Sequence, residues 1–223
     1  MFQRLKKYDK LNQTILFLAL GIISFAILTV RFIYTESITF VFLVINLILA
    51  AIPWVISTIL IIFPKIQNKK IIVILFLCVW LLFFPNAPYI LTDLFHLRLN
   101  HINIWFDLVL ILSFAWTGLL FGITSLLDIE EILKKRLNKY FVYIISTILL
   151  FIASFGIYLG RFMRWNSWDI LNHPQILFFD IFDRLLNPFS HPRTWGMTIF
   201  MGIFLNIVFW SIKLLKTNNI KKF

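Results

Sequence analysis

Charge is scarce in this chain. Only 14% of its 223 residues are Asp, Glu, Lys or Arg, against about 25% in an ordinary soluble domain. Hydrophobic residues make up 61%, and the mean hydropathy is +0.90. That balance excludes a water-soluble globule and puts the chain in a bilayer. Cysteine is nearly absent: Cys78 stands alone inside a hydrophobic stretch, so this chain by itself builds neither a disulfide framework nor a thiolate metal centre. Acids are outnumbered, 10 against 21 Lys and Arg. Several signatures are also missing. There is no HExxH metal helix and no strained serine elbow around Thr92, Ser154 or Ser167. There is no helix-turn-helix, zinc finger or aromatic RNA-binding motif, so nucleic acid is not expected as a partner. The first hydrophobic run lacks a small-residue cleavage site and exceeds a signal-peptide core, so it is expected to remain as an anchor.

What is present is a series of apolar runs near the roughly 20 residues that a spanning helix needs. The expected fold is all-α, a single polytopic membrane domain over 1–223. Its transmembrane helices fall at about 13–33, 38–63, 71–97, 104–127, 140–160 and 195–215. Pro53 lies inside the second, where it is expected to kink the helix. After the fourth, Asp128, Glu130, Glu131, Lys134, Lys135, Arg136 and Lys139 read as a mixed-charge loop.

The third run is interrupted by Pro85-Asn86-Ala87-Pro88-Tyr89-Ile90-Leu91-Thr92-Asp93-Leu94-Phe95-His96-Leu97. Each proline removes a backbone donor and biases the preceding residue away from helix, so the span is expected to unwind at Pro85–Pro88 and restart as a shorter helix. On that second helix Tyr89, Asp93, His96 and Asn100 share a face. An acid and an imidazole at membrane depth must face protein or a water-filled cavity. Asp93 and His96 are therefore the candidate catalytic pair, orienting or exchanging a proton. The metal alternative, with His101, His173 or His191 completing a sphere, is weaker than a hydrogen-bonded acid–imidazole pair; no metal or other cofactor is assigned.

A second polar cluster, Gly160-Arg161-Phe162-Met163-Arg164-Trp165-Asn166-Ser167-Trp168-Asp169, closes the fifth span. Arg161 and Arg164 can grip a phosphate or carboxylate, or pair with Asp93, Asp107 or Asp169. The structural alternative is equally weighted: a helix-end Arg satisfies the dipole, and interleaved Trp residues form an interfacial belt. Asn86, Tyr89, Arg161, Arg164 and Asp169 are the candidate ligand-binding residues. Near 176–187, Asp180, Asp183, Arg184 and Asn187 face away from Leu, Ile and Phe, which predicts an amphipathic helix in the interface. Gly156 and Gly160 form a small-xxx-small pair suited to close helix approach, within the fold or in an oligomer.

The N-terminus, the loops after the second and fourth spans, and the C-terminus hold 15 of the 21 basic residues. The positive-inside rule makes these segments, and both termini, cytoplasmic. The basic excess is then topology and attraction to the lipid bilayer. PNAPYILTDLFHL together with GRFMRWNSWD resembles the bacterial integral-membrane family catalogued as domain of unknown function 1361. The resemblance implies a multi-pass protein of the bacterial inner membrane and carries no catalytic assignment. The residues themselves point to an outward-facing polar pocket that binds or processes an anionic small molecule or lipid-linked substrate. The alternative is a carrier or accessory subunit without chemistry.

Overall fold

The computed structural model describes residues 2–97 and 104–220. Asn100 and His101, named above, lie outside the described residues. The helices are α1 (Phe2–Lys7), α2 (Leu11–Thr35), α3 (Phe42–Ile62), α4 (Pro64–Gln67), α5 (Lys70–Phe83), α6 (Asn86–Tyr89), α7 (Ile104–Lys134), α8 (Lys139–Met163), α9 (Asp169–Asn172), α10 (Pro174–Leu186) and α11 (Pro192–Ile220), with 3-10 turns at Ile90–His96 and Pro188–Ser190. Six helical stretches among the described residues are long and apolar enough to cross a membrane: α2, α3, Lys70–His96, α7, α8 and Pro192–Lys216. Helix is the state expected of apolar chain in lipid, where every backbone donor and acceptor must be satisfied within the segment.

The helices group into two units, Met1–Ile132 and Leu133–Phe223. In the first, two buried ion pairs join α2, with Lys10 at its N-cap, to α7. The Lys10 ammonium donates to the Asp128 carboxylate, whose other oxygen accepts the Ser57 hydroxyl at 2.8 Å. The Arg31 guanidinium donates to both oxygens of Asp107, at 2.9 and 3.4 Å, and its Nη1 also reaches the Thr35 hydroxyl at 2.5 Å. The partners are twenty-one residues apart on each helix and appear in opposite order, so α2 and α7 run antiparallel. Twenty-one residues of helix span about 32 Å, one hydrocarbon thickness. Between the pairs the packing is apolar, with Phe17 against Trp54 and Phe121 at centroid distances of 5.0 and 4.5 Å.

This arrangement corrects the expected end of the fourth span. Helix α7 does not stop at Leu127; it continues to Lys134, and Asp128 and Glu130 are buried on it rather than solvated in a loop. The charges stay helical because Asp128 has a lysine and a serine to meet.

In the second unit α8 and α11 pack antiparallel with a four-residue rhythm. The Tyr143 ring meets Trp210 edge-on at 5.2 Å, and the Asn206 amide leans on the Thr147 carbonyl at 3.5 Å. Gly202 lies so close to Phe151 that a Cβ there would come within 2.2 Å of the ring. Helix α10 forms within the expected 176–187 region and leaves Phe179, Phe182 and Leu186 exposed.

In the first unit Gly118 and Gly122, four apart on α7, lie close against the interrupted span. A Cβ on Gly118 would sit 2.8 Å from the Ala87 carbonyl oxygen and 2.8 Å from Ile90 Cδ1; one on Gly122 would sit 3.0 Å from the Ala87 Cβ. These glycines give the interrupted span its seat. Gly118→Ala is expected to destabilise the protein by roughly 1–3 kcal/mol, since backbone must move. Gly21→Ala, with nothing within 4 Å, is expected to leave the melting temperature in detergent at or above that of the unaltered protein.

Candidate functional site

The break in the third span is made by proline and repaired by its neighbours. Pro88 has no N–H for the Phe84 carbonyl, which accepts instead from Ala87 N at 3.2 Å. That leaves the Phe83 carbonyl without its usual partner, and the Asn86 side-chain amide supplies one at 3.0 Å. Asn86 thus serves the backbone of the break. Trp80 stacks on Phe84 at 4.4 Å just before it.

Beyond the break the chain does not resume as the expected α-helix from Pro88. A single turn, α6, gives way to a 3-10 helix over Ile90–His96. At three residues per turn, side chains at i and i+3 eclipse. Ile90, Asp93 and His96 therefore share a face, and Tyr89 moves onto the other with Thr92, whose hydroxyl donates to the Tyr89 carbonyl at 2.7 Å. Sequence spacing had placed Tyr89 with the pair because it assumed 3.6 residues per turn.

Asp93 is 1% exposed. Its Oδ2 accepts the Asn46 amide from α3 at 2.9 Å, an interhelical polar bond of the kind that holds membrane helices together. The His96 side chain is 45% exposed. Its Nδ1 lies 3.2 Å from the Asp93 backbone carbonyl and 3.8 Å from the Asp93 carboxylate, and its ring packs on Phe42 at 5.0 Å. A buried acid, an amide that fixes it and a half-exposed imidazole thus sit together at the start of α3. Asn46 and Phe42 were not singled out from sequence as members of this group. An Asn inside an apolar span was the available signal.

The other candidate residues belong to the second unit. Arg161 lies in the last turn of α8, and Arg164 caps that helix in the left-handed conformation at φ 62°. Asp169 opens α9 and accepts from the Asn166 backbone N–H at 2.7 Å and its amide at 3.2 Å, forming a local turn. Asp107, proposed from sequence as one partner for these arginines, takes Arg31. No three His, Cys, Asp or Glu come together as metal ligands among the described residues. Gly156 and Gly160 are half-buried on α8.

The polar face of α10 is tied to its flanks. The Trp165 indole donates to Asp180 at 2.9 Å, Arg184 donates to the Asp180 carbonyl at 2.7 Å, and the Trp195 indole donates to the Arg184 carbonyl at 3.1 Å. Asp183 accepts from the Asn187 amide at 2.8 Å, and its other oxygen lies 2.8 Å from His191 Nε2. The Asn187 amide first, and His191 second, hold the Asp183 carboxyl below its ordinary value of 3.8.

The described residues, helical and with six candidate spans, one of them broken around an acid and an imidazole, define a polytopic membrane protein. The model of the family described as "Protein of unknown function (DUF1361)" matches residues 45–208, and the chain belongs to that family. No curated protein and no solved structure matches it.

The Asp183 shift predicts a pH dependence. A carboxyl whose folded pKa is depressed contributes stability above its unfolded pKa and loses it as the pH falls through the folded value. The melting-temperature gap between the unaltered protein and Asp183→Ala is therefore expected to be constant above pH 3.8 and to close below it. A gap unchanged by acid would show that Asp183 does not titrate with folding.

Proposed function

We propose that this is a bacterial cell-membrane protein, with both termini cytoplasmic, that binds or processes an anionic small molecule or lipid-linked substrate at the outward end of its broken third span. His96 is the group that meets the ligand and exchanges a proton; the Asp93 backbone carbonyl, 3.2 Å from its Nδ1, positions it, and the buried Asp93 carboxylate lies 3.8 Å away. The observation that carries this reading is the half-exposed imidazole set against a fixed, buried acid. With the Nδ1 proton held on the Asp93 carbonyl, the Nε2 lone pair is left to accept a proton. The Nδ1-protonated tautomer is inferred from that contact. Tyr89 is a proposed neutral hydrogen-bonding group beside the pair. Arg161, Arg164 and Asp169 are proposed ligand residues in the second unit on chemistry alone, since each guanidinium offers a planar donor fork for phosphate or carboxylate.

The orientation draws on the loop charges, with 15 of 21 basic residues on the side taken as cytoplasmic. One observation favours a carrier or accessory subunit without chemistry: the Asp93 carboxylate already accepts the Asn46 amide inside the fold.

Protein purified with native lipids, analysed by mass spectrometry for retained small molecules, tests the proposal. The unaltered protein is expected to retain an anionic or lipid-linked species that His96→Gln loses at an unchanged melting temperature. Identical sets of retained molecules would overturn it. A species chemically altered in detergent marks an enzyme, and one moved only across sealed vesicles marks a carrier.

A further inference from the structure

Helix α10 carries its ion-paired groups inward and its large apolar side chains outward. At about 100° per residue, Phe178, Phe179, Phe182, Leu185 and Leu186 share roughly a third of the helix circumference. All five are exposed, Phe179 and Leu186 by 72% and 76%. Gln175 in the first turn is the one polar side chain on that arc. The opposite arc holds Leu177, Asp180, Ile181 and Arg184, which are buried or half-buried. Its polar groups are matched inside the second unit: the Trp165 indole donates to Asp180 at 2.9 Å, the Trp195 indole to the Arg184 carbonyl at 3.1 Å, and the Arg184 guanidinium to the Asp180 carbonyl at 2.7 Å. Asp183, on the flank between the arcs, lies 2.8 Å from His191 Nε2. A surface helix of a water-soluble protein shows the reverse order, with its polar side outward.

We propose that the outward face of α10 is a contact surface for lipid acyl chains: the helix is sunk in the leaflet at that end of α8 and α11, with its charged side held by protein and its phenylalanines and leucines against the tails. The position of α10 in the chain favours lipid. Five residues separate Leu186 from Pro192, where the last span begins. The bonds to Trp165 and Trp195 hold α10 against the end of α8 and the first turn of α11. Both spans carry exposed apolar side chains of their own in this half, Phe162 on α8 and Ile199 and Phe200 on α11. A second copy of the chain is the competing cover. Membrane helices that dock on protein use small residues, which let backbones approach closely, and this face offers three phenylalanines and two leucines instead. An ordinary interfacial helix rests about 5–10 Å into the headgroup boundary and keeps its charged face in water. In α10 protein takes the place of that water for Asp180 and Arg184, so the helix can sink to the level of the tails without stranding a charge. The surface belongs to the second unit and is separate from the ligand site of the third span, which belongs to the first.

The test is nitroxide labelling of the full chain in a Cys78→Ala background, with Phe179→Cys and Phe182→Cys labelled in turn and the protein reconstituted into vesicles of phosphatidylethanolamine and phosphatidylglycerol. Both substitutions fall at exposed positions, so the fold does not depend on either side chain. Oxygen concentrates in hydrocarbon, whereas a polar nickel chelate stays in water. Labels at both positions are expected to collide with oxygen more often than with the chelate, as is a reference label at Phe200→Cys on α11, 77% exposed. An excess of chelate collisions at either α10 position would put the face in water and overturn the proposal. Protection of either label from both reagents, or spectral broadening that disappears when labelled protein is diluted with unlabelled, would put protein on the face and overturn it as well.

Discussion

A charge inside a membrane is tolerable only beside its partner, and two such partnerships organise the first unit. Lys10 with Asp128, and Arg31 with Asp107, bind α2 to α7 at points one hydrocarbon thickness apart. Fixing both ends sets the register of two antiparallel spans, and the apolar stack of Phe17, Trp54 and Phe121 closes the space between them. With α7 held in this way, its Gly118 and Gly122 face the one segment that needs a backbone-deep seat, the break at Pro85–Pro88. Helix α3 shares in both tasks. Its Ser57 completes the Asp128 pair, and its Asn46 amide donates to Asp93.

The broken span is thus a consequence of its surroundings as much as of its prolines. Unwound backbone survives at membrane depth only when buried in protein or lining a polar cavity. Here Asn86 and Ala87 supply donors to the Phe83 and Phe84 carbonyls, and Ala87 is fully buried against α7. The 3-10 continuation then aligns a buried acid with a half-exposed imidazole. An unbroken α-helix would put Asp93 and His96 about 60° apart around its axis.

Much of the fold was legible because lipid imposes a simple rule: apolar runs of sufficient length become helices. The six spans, the break and the amphipathic helix before α11 follow from that rule and from proline chemistry. Three features did not follow. Asp128 and Glu130 read as loop because charge usually ends a span, whereas the tertiary partners Lys10 and Ser57 let Asp128 stay buried on the helix. Tyr89 was placed on the Asp93 face because helix type was assumed to be α, and two prolines in four residues were not enough to specify 3-10. Gly118 and Gly122 were passed over for Gly156 and Gly160, since spacing alone says that close approach is allowed and not where it occurs. One signal was present and unused: opposite charges stand twenty-one residues apart on the first and fourth spans, in opposite order. Of the candidate site, the Asp93–His96 pairing was legible from adjacency, and the Asn46 contact required the fold.

The dependence of the first unit on its two ion pairs is tested most directly by double-mutant cycles in detergent, with thermal or denaturant stability as the readout. Lys10→Met, Asp128→Leu, Arg31→Met and Asp107→Leu are each expected to destabilise by about 3–5 kcal/mol, because each strands a buried charge. The doubles Lys10→Met with Asp128→Leu, and Arg31→Met with Asp107→Leu, are expected to recover most of that loss, whereas Lys10→Met with Asp107→Leu is expected to be additive. Additivity within both matched pairs would contradict the clamps and, with them, the register on which the seat of the broken span depends.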